Sequence, residues 1–221
     1  MGSSPTGPTP VPRGHRGHGG NPAGATLQGV LLAQLIIGVL GVMVITSEYS
    51  SGMIRSTLAE VPGRLSVLWA KAAVVAGVTF PVMLLTASAA FFAGQPLIGA
   101  GDIVTASIGD PGVLDAIVGT AGYLTGAALM GLAVGALLRS TAAAISTLFA
   151  VIFLLPGLGM LLPESIRDSV LRFFPSSAGE SFMSVFAAPG QLGTGAGIAV
   201  FVAWVAVPLV AAAVALKRRN A

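Results

Sequence analysis

Five long apolar stretches dominate this sequence. They cover about residues 26–46, 72–93, 113–138, 141–162 and 194–216. A helix needs about 20 mostly apolar residues to cross a hydrocarbon core of about 30 Å, and each of these stretches is long enough. The sequence therefore predicts an all-α, polytopic integral membrane protein with five transmembrane helices.

The composition agrees with a membrane environment. Asp, Glu, Lys and Arg make up 9% of the chain and hydrophobic residues 54%, whereas soluble domains have about 25% charged residues. The 11 basic residues exceed the 8 acidic ones only slightly. In a membrane protein such an excess reflects topology, so we expect membrane lipid and no nucleic acid among its partners.

The basic residues also predict the orientation. With five spans, one side of the membrane receives seven of the 11 basic residues and two of the 8 acidic ones. The basic residues on this side are Arg55, Arg64, Lys71, Arg139, Lys217, Arg218 and Arg219. Because basic loops are retained in the cytoplasm, the chain is expected to have its N-terminus outside and its C-terminus in the cytoplasm.

Several chemistries are excluded. The only histidines, His15 and His18, lie in a Pro/Gly-rich segment (residues 1–25) that is predicted to be a disordered extracytoplasmic tail. The membrane body therefore has no Ser-His-Asp triad, and without cysteine it has no thiolate metal site. Lys71 and Lys217 do not follow glycine, so a phosphate-binding loop is absent. We expect no catalytic, cofactor-binding or metal site, and hence no enzyme activity of the chain's own.

Glycine and proline mark the packing of the spans. The third stretch contains two GxxxG pairs, Gly122/Gly126 and Gly131/Gly135, which let helix backbones approach closely in lipid. They predict helix packing, either within the chain or on a homodimer face. Pro81 and Pro156 lie inside the second and fourth stretches and predict helix kinks.

The loop between the last two spans, residues 163–193, has an amphipathic pattern. Ile166, Val170, Phe173 and Phe174 recur at helical spacing, with Arg167, Asp168 and Arg172 between them. This pattern predicts a helix at the outer membrane interface that ends at Pro175. It would be an interfacial anchor or a cap over an exit path.

Residues 47–64, SEYSSGMIRSTLAEVPGR, gather charge between two nearly uncharged spans. Met53, Ile54, Leu58 and Val61 fall on one helical face. Pro62 disfavours helix at the preceding residue, and Gly63 permits a turn. The segment is expected to form a short amphipathic helix at the cytoplasmic surface, or else a charged loop that only fixes topology.

The pattern ITSEYSSGMIRSTLAEVPGRLSVLWAKAAV resembles the corresponding segment of ABC-2 type transporter permeases, especially actinobacterial ones. Glu48, Gly52, Arg55, Pro62 and Lys71 occupy matching places. The resemblance continues through GALLRSTAAAIS (135–146), LLPESIRDSVLRFFPSSAGES (161–181) and the basic C-terminus, and it covers about residues 26–221.

The resemblance implies the permease subunit of an ATP-driven exporter in a bacterial plasma (inner) membrane. Its coupling helix would contact a separate ABC ATPase subunit, which binds ATP and Mg²⁺. The residues assigned to ATPase coupling are Glu48, Gly52, Met53, Ile54, Arg55, Leu58, Val61, Pro62 and Arg64. The permease is expected to form a homodimer, or a heterodimer with another permease chain.

Permeases of this family usually have six spans with both ends in the cytoplasm. This chain corresponds to the last five, which leaves three alternatives: its start is misplaced, the gene is truncated, or five spans suffice. We expect the frame upstream of Met1 to encode the first span. Two other functions stay open. One is a non-transporting or truncated membrane scaffold, and the other is a secondary carrier driven by an ion gradient.

Overall fold

The computed structural model describes residues 22–50, 64–99, 111–184 and 190–218. Its helices, in chain order, are α1 (Pro22–Ser50), α2 (Arg64–Gly99), α3 (Val113–Leu138), α4 (Thr141–Phe149), a π-helical turn (Ala150–Leu154), α5 (Leu155–Gly159), α6 (Glu164–Leu171), α7 (Pro175–Met183) and α8 (Thr194–Arg218). Regular structure within these ranges is entirely helical, which confirms the predicted all-α class.

Five helical segments are long and apolar enough to cross a membrane. They are Gly29–Tyr49, Leu65–Gly94, Val113–Leu138, Thr141–Gly159 and Thr194–Arg218. The prediction of five helices able to span a membrane is therefore confirmed at the level of length and composition, and these helices indicate a membrane protein.

The helix α3 forms the centre of the bundle. About 72% of its most apolar window is buried inside the protein, whereas the other four spans are buried by 6% to 33%. α3 packs against α1, α2, α4, α7 and α8. Large apolar side chains on the outer spans, such as Leu85 and Val207, are exposed. Lipid tails would cover these surfaces in a membrane.

Contacts between the helices define their directions. α1 and α3 are parallel, because Gln34 meets Tyr123 in their first halves and Tyr49 meets Arg139 at their ends. α8 runs the same way, since Phe201 packs against Tyr123 and Val205 lies against Gly126, further along α3. α2 runs back along α1, and α4 runs back along α3. Successive spans therefore alternate in direction, as a chain that crosses a membrane at every span requires.

The bundle has two chemically different ends. Lys71, Arg139, Lys217 and Arg218 lie where α1, α3 and α8 finish, and we call this the basic end. The opposite end holds the starts of α3 and α8 together with α7, and we call it the α7 end.

Glycines allow α1 and α3 to cross at backbone contact. A Cβ atom added at Gly131 would overlap the carbonyl oxygen of Gly38, and one added at Gly41 would overlap that of Ala128. No other residue type fits at such a crossing without moving a helix. The contact between α1 and α3 is therefore close and rigid.

The fourth span changes its helical pitch before Pro156. The π-helical turn Ala150–Leu154 precedes this proline, and the amide of Leu155 donates to the carbonyl oxygen of Ala150. Proline has no amide hydrogen and its ring crowds the preceding turn, and a wider π-turn accommodates both effects. α2, in contrast, continues through Pro81. Pro208, inside α8, was not singled out in the sequence.

Two helices begin earlier than their apolar stretches suggest. α1 starts at Pro22, inside the segment predicted as tail, and α2 starts at Arg64 instead of Ala72. Residues 65–69 (LSVLW) extend the apolar helix of α2 towards the basic end, so Lys71 lies within the helix. A lone charge is unfavourable inside an apolar helix, and the ion pair between Lys71 and Glu48 offsets this cost.

Candidate functional site

An ion pair joins α1 and α2 at the basic end. The Nζ atom of Lys71 lies 2.5 Å from Oε1 of Glu48 and 3.4 Å from the carbonyl oxygen of Val44. The side chains of Lys71 and Glu48 are 18% and 24% exposed, so both charges are largely removed from solvent. α1 and α2 have few other contacts with each other. The pair is thus the main link between the helices on either side of residues 51–63.

A second contact at this end connects α1 to the turn between α3 and α4. The guanidinium of Arg139 lies over the ring of Tyr49, with its Cζ atom 5.4 Å from the ring centroid. Arg139 adopts a left-handed backbone conformation (φ 53°), and its amide donates to the carbonyl oxygen of Gly135. Ser140 then begins α4, because its hydroxyl accepts from the amide of Ala143. The turn therefore presents Arg139 to α1.

Glu48, Tyr49, Lys71 and Arg139 form a group that we call the basic-end cluster. It ties the end of α1 to the start of α2 and to the α3–α4 turn. α1 also contacts α3 at the glycine crossing. The end of α1 is therefore held by α2 and by the α3–α4 turn, and its middle is held by α3.

Most residues assigned to ATPase coupling lie outside the described part of the chain. Among them are Gly52, Met53, Ile54, Arg55, Leu58, Val61 and Pro62. Of the assigned residues, Glu48 lies near the end of α1, and Arg64 is the first residue of α2. The predicted coupling helix itself therefore stays a prediction.

The four glycines of the GxxxG pairs in α3 face different neighbours. Gly131 and Gly135 lie against α1, where an added Cβ would meet Gly38 and Ile45 respectively. Gly126 lies against the ring of Phe201 on α8. At Gly122, an added Cβ would have no neighbour within 4 Å among the described residues. The two GxxxG pairs thus do not act alike: one forms the crossing with α1, and the other is divided between α8 and an open cavity.

The loop between the last spans contains two short helices. Ile166 and Val170 lie in α6 and Phe173 follows it, and each of the three is between 42% and 47% exposed. Phe174 stacks on Trp204 with a centroid separation of 6.5 Å. The indole Nε1 of Trp204 donates to the carbonyl oxygen of Phe173 at 2.8 Å. This loop is therefore fixed directly to α8.

The helix α7 was not anticipated, because Pro175 was read only as a stop. Pro175 is instead the first residue of α7, a position that tolerates its missing amide hydrogen. Pro175, Ala178 and Gly179 are buried, and Gly179 lies directly on the ring of Tyr123. Small residues of this kind are common in loops. In α7 they allow the helix to pack tightly on α3 and α8.

A buried polar group was also missed. Gln34 of α1 is fully buried and accepts a hydrogen bond from the hydroxyl of Tyr123 on α3. Its Nε2 atom has no hydrogen-bond partner among the described residues. Unpaired polar groups are costly away from water. This pair lies 89 residues apart in sequence, so only the three-dimensional packing reveals it.

The residue after Gly179, which packs on the ring of Tyr123, carries a carboxyl group. Glu180 of α7 is half-buried, and this burial raises the pKa of its carboxyl above the ordinary value. The ring of Tyr123 packs on Phe201 at 4.8 Å and on Phe182 at 6.4 Å between centroids. Gln34, Tyr123 and Glu180 form what we call the polar cluster, at the α7 end of the bundle.

Apolar cavities flank α8, and two of them are also lined by α3. The larger of these two, about 680 Å³, lies between α3, α4 and α8. The smaller, about 490 Å³, lies between α2, α3 and α8 and includes Gly122 and Trp69 in its wall. Within the described residues, no group of three or more His, Cys, Asp or Glu side chains could hold a metal ion.

No protein-family model, curated protein or solved structure matches this chain. The basic-end cluster, the polar cluster and the cavities are therefore interpreted from their own chemistry.

Proposed function

We propose that the chain is the membrane-spanning permease subunit of an ATP-driven ABC-2 type exporter. Residues 47–64 would contact a separate ATPase subunit, which binds ATP and Mg²⁺. The observation that carries the proposal is the ion pair between Glu48 and Lys71. It connects two positions that match the family pattern, and it joins the helices on either side of the segment assigned to coupling.

The direction of force transmission follows from the helix contacts. An ATPase that moves residues 51–63 would act on α1 and α2 together, because the ion pair holds their ends in register. α1 would pass the movement to α3 at the crossing of Gly38 and Gly131, where the backbones touch. α3 would in turn shift α8 and the two cavities beside it. In this mechanism the permease makes and breaks no covalent bonds.

The proposed orientation places the basic end in the cytoplasm. Lys71, Arg139, Lys217 and Arg218 lie at this end, whereas Asp115, Asp168 and Glu180 lie at the other. Basic residues favour the cytoplasmic side, where ATP is available. Residues 51–63 would then face the ATPase, and α6 and α7 would lie at the outer surface. In this orientation the permease works as a homodimer or as a heterodimer with a related chain.

Single cysteines can test this orientation, because the chain has none of its own. Ser51→Cys and Ser107→Cys should react with a membrane-impermeant thiol reagent from opposite sides. In intact cells Ser107→Cys should label and Ser51→Cys should not. Equal labelling of both variants in intact cells would contradict the orientation.

The partner is tested by purifying the tagged chain from its native membrane and measuring the ATP hydrolysis of the complex. A P-loop ATPase should co-purify, and its hydrolysis should depend on the permease. Leu58→Asp places a charge on the predicted apolar face and should release the ATPase. Ser56→Asp places the same charge on the opposite face and should retain it. Equal retention by both variants would show that this face does not hold the ATPase.

A secondary carrier is the second candidate, and the polar cluster is the observation that favours it. A carboxyl with a raised pKa beside Tyr123 and Gln34 could take up and release a proton. Transport that requires a proton gradient, proceeds without ATP and is lost in Glu180→Gln would select this function over the exporter.

A further inference from the structure

The larger cavity beside α8 has the chemistry of a binding site for an acyl chain. Its wall is formed by apolar side chains of α3, α4 and α8, including Met130, Leu148, Val151 and Pro208. Trp204 contributes the one polar side-chain group in this wall, and its indole N–H is already bonded to the carbonyl oxygen of Phe173. The cavity is open on one side, so its apolar wall can accept an apolar ligand from outside, and about 680 Å³ lies within the range of small-molecule sites.

The cavity is long enough for one acyl chain. Its wall on α8 extends from Val200 to Ala211. At 1.5 Å per residue, this corresponds to about 16 Å along the helix. An acyl chain that reaches the middle of a hydrocarbon core of about 30 Å is about 15 Å long, so one extended chain fits along the wall.

A positive charge lies at the rim of this cavity. Phe173 closes the cavity at the α7 end, and the Cζ atom of Arg172 lies 5.0 Å from the centroid of the Phe173 ring. Asp168, one helical turn earlier, lies near Arg167, with 3.8 Å between the Oδ1 and Nε atoms. Within the described ranges no acidic side chain pairs with Arg172. The rim thus offers a guanidinium, which binds phosphate well, directly beside an apolar chamber.

We propose that this cavity binds an anionic phospholipid, with an acyl chain between α3, α4 and α8 and the phosphate on Arg172. A guanidinium favours a headgroup with a net negative charge over a zwitterionic one, in which a nearby ammonium group offsets the phosphate charge. The guanidinium of Arg172 also favours a phospholipid over a second copy of the chain, because an apolar contact between helices would leave this charge without a partner at the interface. The inference does not depend on the export function, because it concerns a site at the α7 end.

Tryptophan fluorescence can report on the site directly. The chain has two tryptophans; Trp204 lines this cavity and Trp69 lines the other. In the Trp69→Phe variant, Trp204 is the only tryptophan. The variant is reconstituted into phosphatidylcholine vesicles that contain, at the same mole fraction, brominated phosphatidylglycerol or brominated phosphatidylcholine. Bromine quenches the indole on contact, so quenching measures which lipid occupies the cavity.

We expect brominated phosphatidylglycerol to quench Trp204 at least twofold more than brominated phosphatidylcholine at a low mole fraction. Unbrominated phosphatidylglycerol should remove this excess by competition. Arg172→Gln should abolish the excess, and Arg218→Gln, the same charge change at the other end of the bundle, should preserve it. The competition needs only the Trp69→Phe chain, so the proposal stays testable if Arg172→Gln does not fold.

Filling the cavity gives an independent test. Ala203 lines this cavity, and Val202 lines the cavity on the other side of α8. Ala203→Phe should remove the phosphatidylglycerol excess, and Val202→Phe should leave it in place. Equal quenching by the two brominated lipids, or an excess that survives Arg172→Gln, would overturn the proposal. Absence of quenching by either lipid would also overturn it and would indicate that a second copy covers the face.

Discussion

Nζ of Lys71 and Oε1 of Glu48 lie 2.5 Å apart and connect the two helices that flank residues 51–63. Both side chains are less than one-quarter exposed. A charge-assisted hydrogen bond in such a setting contributes more than a pair on an open surface. The pair thus fixes the relative position of the ends of α1 and α2.

Removal of either charge should therefore destabilise the protein. We expect Glu48→Gln or Lys71→Gln to lower the free energy of unfolding by about 1–3 kcal/mol. The double variant should lose less than the sum of the two single variants, because the second substitution removes a charge that is already unpaired. Unfolding in detergent, followed by circular dichroism, measures all four proteins. Strict additivity would show that the two side chains do not interact.

The crossing of α1 and α3 predicts a difference between two glycines on the same helix. Gly131→Ala places a methyl group into the backbone of Gly38, and overpacking of this kind costs about 1–3 kcal/mol. Gly122→Ala adds the same methyl group where the described structure has no neighbour within 4 Å. Its effect should stay within about 1 kcal/mol, with a small gain from helix propensity. Equal losses in thermal unfolding of the two variants would contradict the described crossing.

The hydrogen bond between Tyr123 and Gln34 should be measurable as a coupling. Tyr123→Phe leaves both polar atoms of the Gln34 amide without a partner among the described residues. Hydrogen bonds between membrane helices contribute about 0.6–1.7 kcal/mol, and we expect a loss in this range. Adding Gln34→Leu should recover most of it, because the unpaired amide is then gone. A double variant as unstable as the sum of the singles would argue against the bond.

The amount of this structure that the sequence predicts depends on the kind of interaction. The five spans follow from apolar length, since no other fold can hide such stretches. The GxxxG motif predicts a close helix crossing at Gly131. It does not predict which helix is the partner, because that depends on the rotation of α3 about its axis. The Gln34–Tyr123 bond and the position of α7 depend on packing between residues distant in sequence, and neither has a local signal.

Glu180 predicts a pH dependence with a definite sign. Burial raises the pKa of its carboxyl in the folded protein above the ordinary value of 4.5. The folded state therefore favours the protonated form of Glu180. The stabilisation of the folded protein by this protonated carboxyl is fully present below the unfolded-state pKa. This stabilisation is lost as the pH rises through the raised value.

The unfolding temperature of the unmodified protein should thus fall, relative to that of Glu180→Gln, as the pH rises from about 4 towards neutrality. Asp168→Asn serves as a control, because the Asp168 side chain is 85% exposed. Its pH profile should follow that of the unmodified protein. Parallel profiles of the unmodified protein and Glu180→Gln would contradict the assigned burial of this carboxyl.

The central claim is that residues 51–63 contact an ATPase, and a cross-link from Leu58 tests it most directly. Burial of a leucine side chain stabilises a contact by about 1.5–3 kcal/mol, so Leu58 should lie inside the interface. The chain has no cysteine, and Leu58→Cys can carry a photoactivated maleimide probe in the purified complex. We predict a product with the P-loop subunit whose yield changes when ATP is added, and a much lower yield from Ser56→Cys. Equal yields from the two positions, or no product while the ATPase is present, would contradict the proposed coupling.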